Sequence, residues 1–204
     1  MRLPGKKALV TGAASGIGKA VVNAFVHEGA EVTGADLEYC NAAPDSGEGP
    51  RLVGLDVTNQ DDWEHLANEL TSVDVVVACA GISHACHINE STLEDWRRII
   101  DVNLTGAFLS VRYAARAMRQ QKGGSIVLIG SASGVKASPG ASAYCVSKAG
   151  LRMLVQVAAL DSGHTPSASI VFPLREWSRL CGRRCHCGKI YWRSTGAKMR
   201  RGRP

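Results

Sequence analysis

Short apolar runs alternate with amphipathic segments over the first 165 residues of the chain. The apolar runs predict buried strands and lie at residues 7–11, 31–36, 73–79 and 125–130. The amphipathic segments predict helices and lie at residues 18–27, 61–70, 93–121 and 143–160. Strands separated by helices are parallel, and right-handed crossovers place the helices on both faces of the sheet. We therefore predict an α/β fold with a doubly wound parallel sheet.

The composition fits one globular domain, but the charge is unevenly distributed. Of the 204 residues, 45% are hydrophobic and 21% are charged, which excludes a collagen, a coiled coil and a wholly disordered chain. Residues 166–204 contain ten Lys and Arg and one acid, whereas residues 1–165 contain 14 basic and 17 acidic residues. The net charge of +6 therefore arises from the C-terminal segment. No apolar run is long enough to span a bilayer, and we expect a soluble, cytoplasmic protein without a membrane partner.

A glycine-rich segment, TGAASGIG at residues 11–18, lies between the first predicted strand and the first predicted helix. Gly12 permits the turn, Gly16 lets the backbone approach a pyrophosphate, and Gly18 lets the helix pack on the strand. The helix N-terminus offers unpaired N–H groups to phosphate oxygens. Because the spacing differs from the general GxGxxG, a glycine-rich turn that binds nothing is the alternative interpretation.

Asp36 ends the second predicted strand, 20 residues beyond Gly16. At this position a carboxylate accepts hydrogen bonds from both hydroxyls of an adenosine ribose and repels a 2′-phosphate. No Lys or Arg lies between Lys19 and Arg51 to neutralise such a phosphate. The pattern therefore favours NAD over NADP as the cofactor, and an acid that merely ends a strand is the alternative interpretation.

Tyr144 and Lys148 stand four residues apart on the last predicted helix and therefore share one face. An ammonium beside a phenol favours the phenolate. Lowering the pKa of a tyrosine from ~10 by about three units needs roughly 4 kcal/mol, which Lys148 and a cationic nicotinamide would supply together. Ser131, after the preceding strand, is placed to donate a hydrogen bond to the same substrate oxygen. A solvated helix face is the alternative interpretation of the pair.

Seven segments of the chain together resemble the short-chain dehydrogenase/reductases. They are TGAASGIG, Asp36, LDVT at 55–58, CAG at 79–81, DVNLTG at 101–106, IGSASG at 129–134 and YCVSK at 144–148. The resemblance covers about residues 5–163, and the segments follow the order and spacing of the family. It implies a Rossmann-type sheet and an enzyme that oxidises an alcohol or reduces a ketone with a nicotinamide cofactor. With Asp36, it indicates an NAD-dependent oxidoreductase acting on a small-molecule secondary alcohol or ketone.

The resemblance also implies a role for each matching residue. The implied catalytic residues are Asn103, Ser131, Tyr144 and Lys148. In this assignment Tyr144 is the acid/base and Ser131 polarises the carbonyl. Lys148 holds the nicotinamide ribose and lowers the tyrosine pKa, while Asn103 holds a water that relays protons to it. The implied cofactor-binding residues are Gly12, Ser15, Gly16, Ile17, Gly18, Asp36, Asp56, Val57, Ala80 and Gly81, together with Tyr144 and Lys148. No metal is implied.

Two further points concern rigidity and assembly. Cys79 stands where the family usually has Asn before Ala-Gly. Because the family's Asn supports the sheet, we expect its replacement to affect rigidity more than chemistry. Members of the family commonly pair through the two long helices, here about 93–121 and 143–160, which implies a homodimer or homotetramer for an intact relative.

Residues 166–204 depart from the family pattern. The family next has a buried strand, a proline-glycine turn over the nicotinamide, a substrate lid and a last strand, and the sequence shows none of these. We therefore divide the chain into a dinucleotide-binding and catalytic domain, 1–165, and an unstructured basic tail, 166–204. We also expect the strand at 125–130 to present an open edge, and turnover to be impaired.

Our hypothesis for the origin of the tail is a change of reading frame. Codons can be chosen for residues 167–178 so that a one-base shift encodes Ile-Arg-Val-Asn-Cys-Ile-Ser-Pro-Ala-Gly-Val-Val, which is close to the family's strand and turn. Our hypothesis is the loss of one base near codons 165 and 166. The nucleotide sequence tests it, and an intact frame that runs to a genuine stop would contradict it.

Other interpretations of the tail are weaker. Cys181, Cys185, His186 and Cys187 suggest zinc, but their spacing matches no usual paired arrangement. The Arg-rich residues 198–203 would bind phosphate backbones weakly, and we expect no specific nucleic-acid partner. For the whole chain, the alternative function is a non-catalytic NAD-binding or regulatory protein that uses the basic tail for partners. Retention of all four implied catalytic residues argues against that alternative.

Overall fold

The computed structural model describes residues 1–41, 49–121, 123–161 and 167–171, the last five as backbone only. Six parallel strands form one sheet in the order β3-β2-β1-β4-β5-β6. Their bounds are β1 Lys7–Thr11, β2 Glu31–Asp36, β3 Arg51–Gly54, β4 Val75–Ala78, β5 Ser125–Ile129 and β6 Ser167–Val171. The predicted doubly wound α/β architecture is confirmed.

Five α-helices connect the strands within the described residues. They are α1 Gly16–His27, α2 Gln60–Glu69, α3 Leu93–Ile100, α4 Gly106–Gln120 and α5 Ser142–Asp161. A π-helical segment, Asp101–Thr105, joins α3 to α4, so the single helix predicted over 93–121 is helical from residue 93 to residue 120 but changes its hydrogen-bond pattern in the middle. Thr92 caps α3, where its Oγ1 accepts a hydrogen bond from the Asp95 N–H at 3.0 Å.

The central strands are buried on both faces, because successive side chains point to opposite sides of the sheet. Leu9 and Val76 lie in a core built with α2, α4 and α5, whereas their neighbours Val10 and Val77 lie in a second core built with α1. This two-sided burial explains why these strands are continuous apolar runs in the sequence.

The strand order reverses between β1 and β4, because β2 and β3 lie on one side of β1 whereas β4 and the later strands lie on its other side. At such a switch point the loops that follow the two strands separate and leave a crevice beyond their carboxyl ends. Here the Ala80 N–H donates to the Thr11 Oγ1 at 3.3 Å, so the two loops are joined at the base of that crevice. Thr11 is fully buried.

The expectation that the strand at 125–130 has an open edge is wrong. β6 pairs with β5 along its whole length, from Ser125 opposite Ser167 to Ile129 opposite Val171. The segment is uncharged and ends in Ile-Val, which suits a strand even though it does not match the family sequence. Residues 172–204 lie outside the described residues, so the unstructured tail and its cysteines stay predictions.

Candidate functional site

The glycine-rich turn after β1 contains two glycines with a positive φ and a third, Gly18, whose position leaves no room for a side chain. Gly12 has φ +68° and Gly16 has φ +51°, a region that side chains rarely adopt. A Cβ on Gly18 would lie 1.9 Å from the Gly12 carbonyl oxygen, so this position requires glycine for packing. A Cβ on Gly16 would meet no atom within 4 Å, so the space beside this residue is open. The turn therefore offers room for a phosphate at the N-terminus of α1.

Two predicted cofactor residues lie at the start of α1. Ser15 is the N-cap and has an extended backbone, with φ −143°, and its side chain makes no capping hydrogen bond. Ile17 is 40% exposed although it is apolar. A hydroxyl without an intrahelical role and an exposed apolar side chain beside the open turn both fit a bound dinucleotide.

Asp36 is tied to the glycine-rich turn. Its Oδ2 accepts a hydrogen bond from the Ala14 N–H at 2.9 Å, and its Oδ1 accepts one from the Glu38 N–H at 3.1 Å. Each carboxylate oxygen retains a further lone pair. The carboxylate is therefore held beside the turn with acceptor capacity for ribose hydroxyls.

Asp56 and Val57 follow β3, on the same edge of the sheet. The Asp56 Oδ1 accepts hydrogen bonds from the Thr58 N–H at 2.9 Å and from the Thr58 Oγ1 at 2.7 Å. Val57 is buried, and a Cβ on Gly106 would lie 2.8 Å from its Cγ2. These contacts bring the segment after β3 against the start of α4.

Ala80 and Gly81 connect the glycine-rich turn to the implied catalytic residues. A Cβ on Gly12 would lie 2.8 Å from both the Cα and the N of Ala80. A Cβ on Gly81 would lie 3.6 Å from the Lys148 Nζ and 3.3 Å from the Asn103 Oδ1. One short segment after β4 therefore contacts both halves of the site.

Tyr144 and Lys148 share one face of α5, as predicted. The Lys148 Nζ lies 5.7 Å from the centroid of the Tyr144 ring. It donates a hydrogen bond to the carbonyl oxygen of Ile129, the last residue of β5, at 2.8 Å. Lys148 is only 6% exposed, so its position is set by the fold and not by solvent.

Ser131 caps a short 3-10 turn, Ala132–Gly134, that follows β5. Its Oγ accepts a hydrogen bond from the Ser133 N–H at 3.1 Å, which leaves its own proton available for donation. A Cβ on Gly134 would lie 2.6 Å from the Lys148 carbonyl oxygen, so the turn packs directly on α5. Glycine at this position lets the serine and lysine segments approach each other.

Burial controls the charge of the site. Desolvation lowers the pKa of Lys148 to about 8, and the smaller effect of the neighbouring Cys79 opposes this shift. Burial also raises the pKa of the Cys79 thiol to about 12, against the opposing effect of Lys148. At neutral pH the residue that replaces the family's Asn is therefore an uncharged thiol beside an ammonium.

Asn103 lies in the π-helical segment and is 1% exposed. Its Oδ1 accepts a hydrogen bond from the Ile82 N–H at 2.7 Å, and its Nδ2 donates to the Ile82 carbonyl oxygen at 2.8 Å. The same Nδ2 lies 3.2 Å from the Ser147 Oγ. The side chain therefore fixes the loop after β4, and the predicted water-holding role stays a prediction.

The sequence predicts that residues 82–90 and 133–142 approach the substrate, with Ile82, Val135 and Ala141 in a moderately apolar pocket, but it assigns no site role to Gly106 or Ser147. Gly106 lies in DVNLTG and Ser147 in YCVSK, two segments quoted for the family resemblance. The contact of Ile82 with Asn103 carries no sequence signal, because it involves only the backbone of Ile82. Backbone contacts between distant segments leave no trace in the residue type.

The described part of the chain lacks two features, a metal-binding cluster and a membrane-spanning helix. No group of three or more His, Cys, Asp and Glu residues is arranged to hold a metal ion there. No helix in this part is long and apolar enough to cross a membrane. The cysteines and histidine at 181–187 lie outside the described residues.

Comparison with known proteins identifies many similar sequences. The family model for the short chain dehydrogenases matches residues 6–167. A borneol dehydrogenase of Lavandula x intermedia is 39% identical over 171 residues, and a 3-alpha-(or 20-beta)-hydroxysteroid dehydrogenase of Mycobacterium tuberculosis is 36% identical over 169 residues. Each alignment covers 79% of this chain and 65% of the relative. The chain thus spans 65% of the length of these curated relatives.

Solved structures of dehydrogenases are also similar to this chain. The aldohexose dehydrogenase of Thermoplasma acidophilum, in its ligand-free form, superposes with a TM-score of 0.70 at 34% identity. That superposition covers 82% of this chain and 68% of the other. A second structure, from the short chain dehydrogenase/reductase family, gives a TM-score of 0.76 at 30% identity.

Proposed function

Because the chain belongs to the short-chain dehydrogenase family, we propose that it transfers a hydride between NAD(H) and a secondary alcohol or its ketone. The observation that carries the proposal is the continuity of the site. Gly81 contacts the positions of Asn103 and Lys148, and the adjacent Ala80 contacts the glycine-rich turn. A dinucleotide held by the turn would therefore reach the lysine along one short segment.

Asp36 supports NAD as the cofactor. Both of its carboxylate oxygens are oriented by backbone N–H groups, and no Lys or Arg lies within residues 20–50 to neutralise a 2′-phosphate. The residues proposed to hold the cofactor are those of the glycine-rich turn, Asp36, Asp56, Val57, Ala80, Gly81, Tyr144 and Lys148. When bound, the nicotinamide supplies the acceptor or donor of the hydride.

The proposed chemistry of the protein itself is proton transfer. The Tyr144 hydroxyl exchanges a proton with the substrate oxygen, and the Ser131 hydroxyl donates a hydrogen bond to the same oxygen. The positive charge on Lys148 stabilises the tyrosine when it has lost its proton. The Lys148 Nζ uses one N–H for Ile129 and keeps others for a ribose or a water.

The substrate space is proposed to be mainly apolar. Ile82 and Ala141 are half-buried on the loops after β4 and β5, and Val135 is 58% exposed although it is apolar. The hydroxyls of Ser133 and Ser138 lie 3.5 Å apart and contact each other. We therefore propose that the substrate is an uncharged secondary alcohol such as borneol and not a polyol. The homodimer or homotetramer and the cytoplasmic location stay predictions.

Tyr144→Phe tests the proposed reaction. We expect NAD-linked oxidation of borneol to fall about 10²- to 10⁴-fold, because the variant lacks the proton-transferring hydroxyl. NADH binding, followed by its fluorescence, should change less than about twofold, and NADPH should bind more weakly than NADH to both proteins.

Tyr113→Phe is the matched control. Tyr113 is a buried tyrosine whose hydroxyl donates to the Leu70 carbonyl oxygen at 2.7 Å, away from the site. We expect this variant to keep its turnover. Unchanged turnover in Tyr144→Phe would contradict the proposed mechanism. NADH binding by a wild-type chain that oxidises no alcohol would instead favour the non-catalytic alternative.

A further inference from the structure

The two loops proposed to flank the substrate are joined to each other outside the sheet. One loop follows β4 and covers residues 79–92, and the other follows β5 and covers residues 130–141. Cys86 pairs with Ala141 as an isolated parallel bridge. The Cys86 N–H donates to the Gly140 carbonyl oxygen at 2.8 Å. We call this bridge the clasp.

The clasp is one of two fixed points on the loop after β4. The first is Ile82, whose N–H and carbonyl oxygen both bond to the Asn103 side chain. The second is Cys86 at the clasp. The three residues between these points, 83–85, are exposed and do not pack in the core. Hydrogen bonds therefore hold this short segment at its two ends.

The other side of the clasp is fixed by α5. Gly140 has φ +70°, and the next residue, Ala141, accepts a hydrogen bond from the Cys145 N–H at 2.8 Å in the first turn of the helix. Tyr144 lies in the same turn. The clasp therefore connects residues 83–85 rigidly to the helix that positions the tyrosine.

We propose that the clasp is a positioning device for substrate, with Cys86 and Gly140 as its positioning residues. By ordering residues 83–85 against the turn before α5, it forms one wall of the substrate space. Loss of the clasp would weaken alcohol binding while the cofactor contacts and the proton-transferring groups stay in place. The inference rests on the proposed function only for its effect on KM; the ordering of residues 83–85 is independent of it.

Gly140→Val tests the clasp. A β-branched residue is strained at φ +70°, so the turn should change conformation and lose its bond to Cys86. Gly140→Asn is the conservative variant, because Asn tolerates a positive φ and a Cβ here would lie 3.7 Å or more from Cys86. We expect the KM for borneol to rise about tenfold in the valine variant and less than about threefold in the asparagine variant.

Gly5→Val is the control for strain alone. Gly5 has φ +66° and lies at the N-terminus of the chain, where an added Cβ would meet no atom within 4 Å. We expect this variant to lose stability without a change in KM. In all variants kcat should change less than about threefold and the Kd for NADH less than about twofold. An unchanged KM in a Gly140→Val protein that has lost the clasp would overturn the role in substrate binding.

Hydrogen exchange separates the two proposals. The Cys86 amide should be protected in the wild type and in Gly140→Asn, and should exchange rapidly in Gly140→Val. Equal protection in all three proteins would overturn the clasp, whatever the activity. If the wild type oxidises no alcohol while exchange follows this pattern, the proposed function fails and the ordering role of the clasp stands.

Discussion

The buried charge of Lys148 destabilises the fold, although the proposed chemistry requires it. Its ammonium is buried with one hydrogen bond, to Ile129, and burial lowers its pKa to about 8 from an ordinary value of 10.5. Below about pH 8 the lysine is charged in both the folded and the unfolded chain, so the folded state carries the full desolvation cost. Between about pH 8 and 10.5 the unfolded chain binds more protons, and stability rises with pH.

Lys148→Met should therefore stabilise the protein while abolishing turnover. We expect the free energy of unfolding at pH 7 to rise by about 2 kcal/mol, because the removed desolvation cost exceeds the value of the lost hydrogen bond. The gain should shrink as the pH approaches 10. Urea unfolding at pH 7 and pH 9.5 measures both effects.

Lys19→Met is the control for this substitution. Lys19 is exposed on α1, so its replacement should change the free energy of unfolding by less than about 0.5 kcal/mol at either pH. A destabilised Lys148→Met protein, or a gain that does not depend on pH, would contradict the origin assigned to the pKa shift.

At the scale of elements, β6 is a strand that the sequence did not predict, and it pairs with the edge that was expected to be open. It lies at the edge of the described sheet and covers β5, the strand that leads to Ser131 and whose last carbonyl binds Lys148. In a parallel edge strand, successive N–H groups point alternately toward the neighbouring strand and away from it. Substitutions with proline at adjacent positions therefore distinguish a paired strand from an unpaired segment.

Ala168→Pro and Ser169→Pro form such a pair. Ala168 lies opposite Ile126 and Ser169 lies opposite Val127. We expect one variant to lose about 2 kcal/mol more than the other, because only one of the two removes a ladder hydrogen bond. Thermal unfolding of both proteins measures the difference. Equal midpoints would contradict the pairing of β6 with β5.

Strands and helices with a clear apolar pattern were predicted from the sequence. A short strand and a change of helix type, which depend on backbone hydrogen bonds, were not. β1 and β2 have the predicted bounds, because their apolar patterns start and end at charged residues or next to a glycine. α5 extends one residue beyond prediction at each end, to Ser142 and Asp161. β3, only four residues long with Arg and Gly at its ends, was not predicted. The π-helical segment was not predicted either, because its apolar pattern resembles that of an α-helix.

The candidate site was predictable to the extent that it depends on residue type. Tyr144 and Lys148 share a face because of their spacing alone, and Asp36 ends β2 as expected. The bonds from Asn103 to Ile82 and from Cys86 to Gly140 join segments 21 and 54 residues apart. In each of these contacts at least one partner uses only its backbone groups, which do not depend on residue type, so the contact becomes visible only in the folded chain.

At the scale of the whole molecule, every described strand contributes to one sheet and the site lies along its carboxyl edge. We propose that this sheet and its helices bind the cofactor without residues 172–204, so that the basic segment is a tail to the cofactor-binding unit. The proposal is supported by the two cores, whose members within the described part of the chain all precede residue 162.

A chain ending at residue 171 tests this division. We expect its thermal midpoint to differ from that of the full chain by less than about 4 °C, and its Kd for NADH to change less than about twofold. Circular dichroism and NADH fluorescence measure the two quantities. A tenfold loss of NADH affinity on removal of residues 172–204 would contradict the division and assign the tail to the cofactor site.

The bond from Lys148 to the end of β5 has a consequence for how the molecule responds to alkaline conditions. A neutral amine still carries two hydrogens, so it can continue to donate to the Ile129 carbonyl oxygen after its proton has gone. Raising the pH through about 8 therefore removes the charge of Lys148 but keeps its hydrogen bond to Ile129. The contribution that we propose for the Lys148 charge in proton transfer would therefore be lost reversibly, because the side chain stays in place and regains its charge when the pH falls.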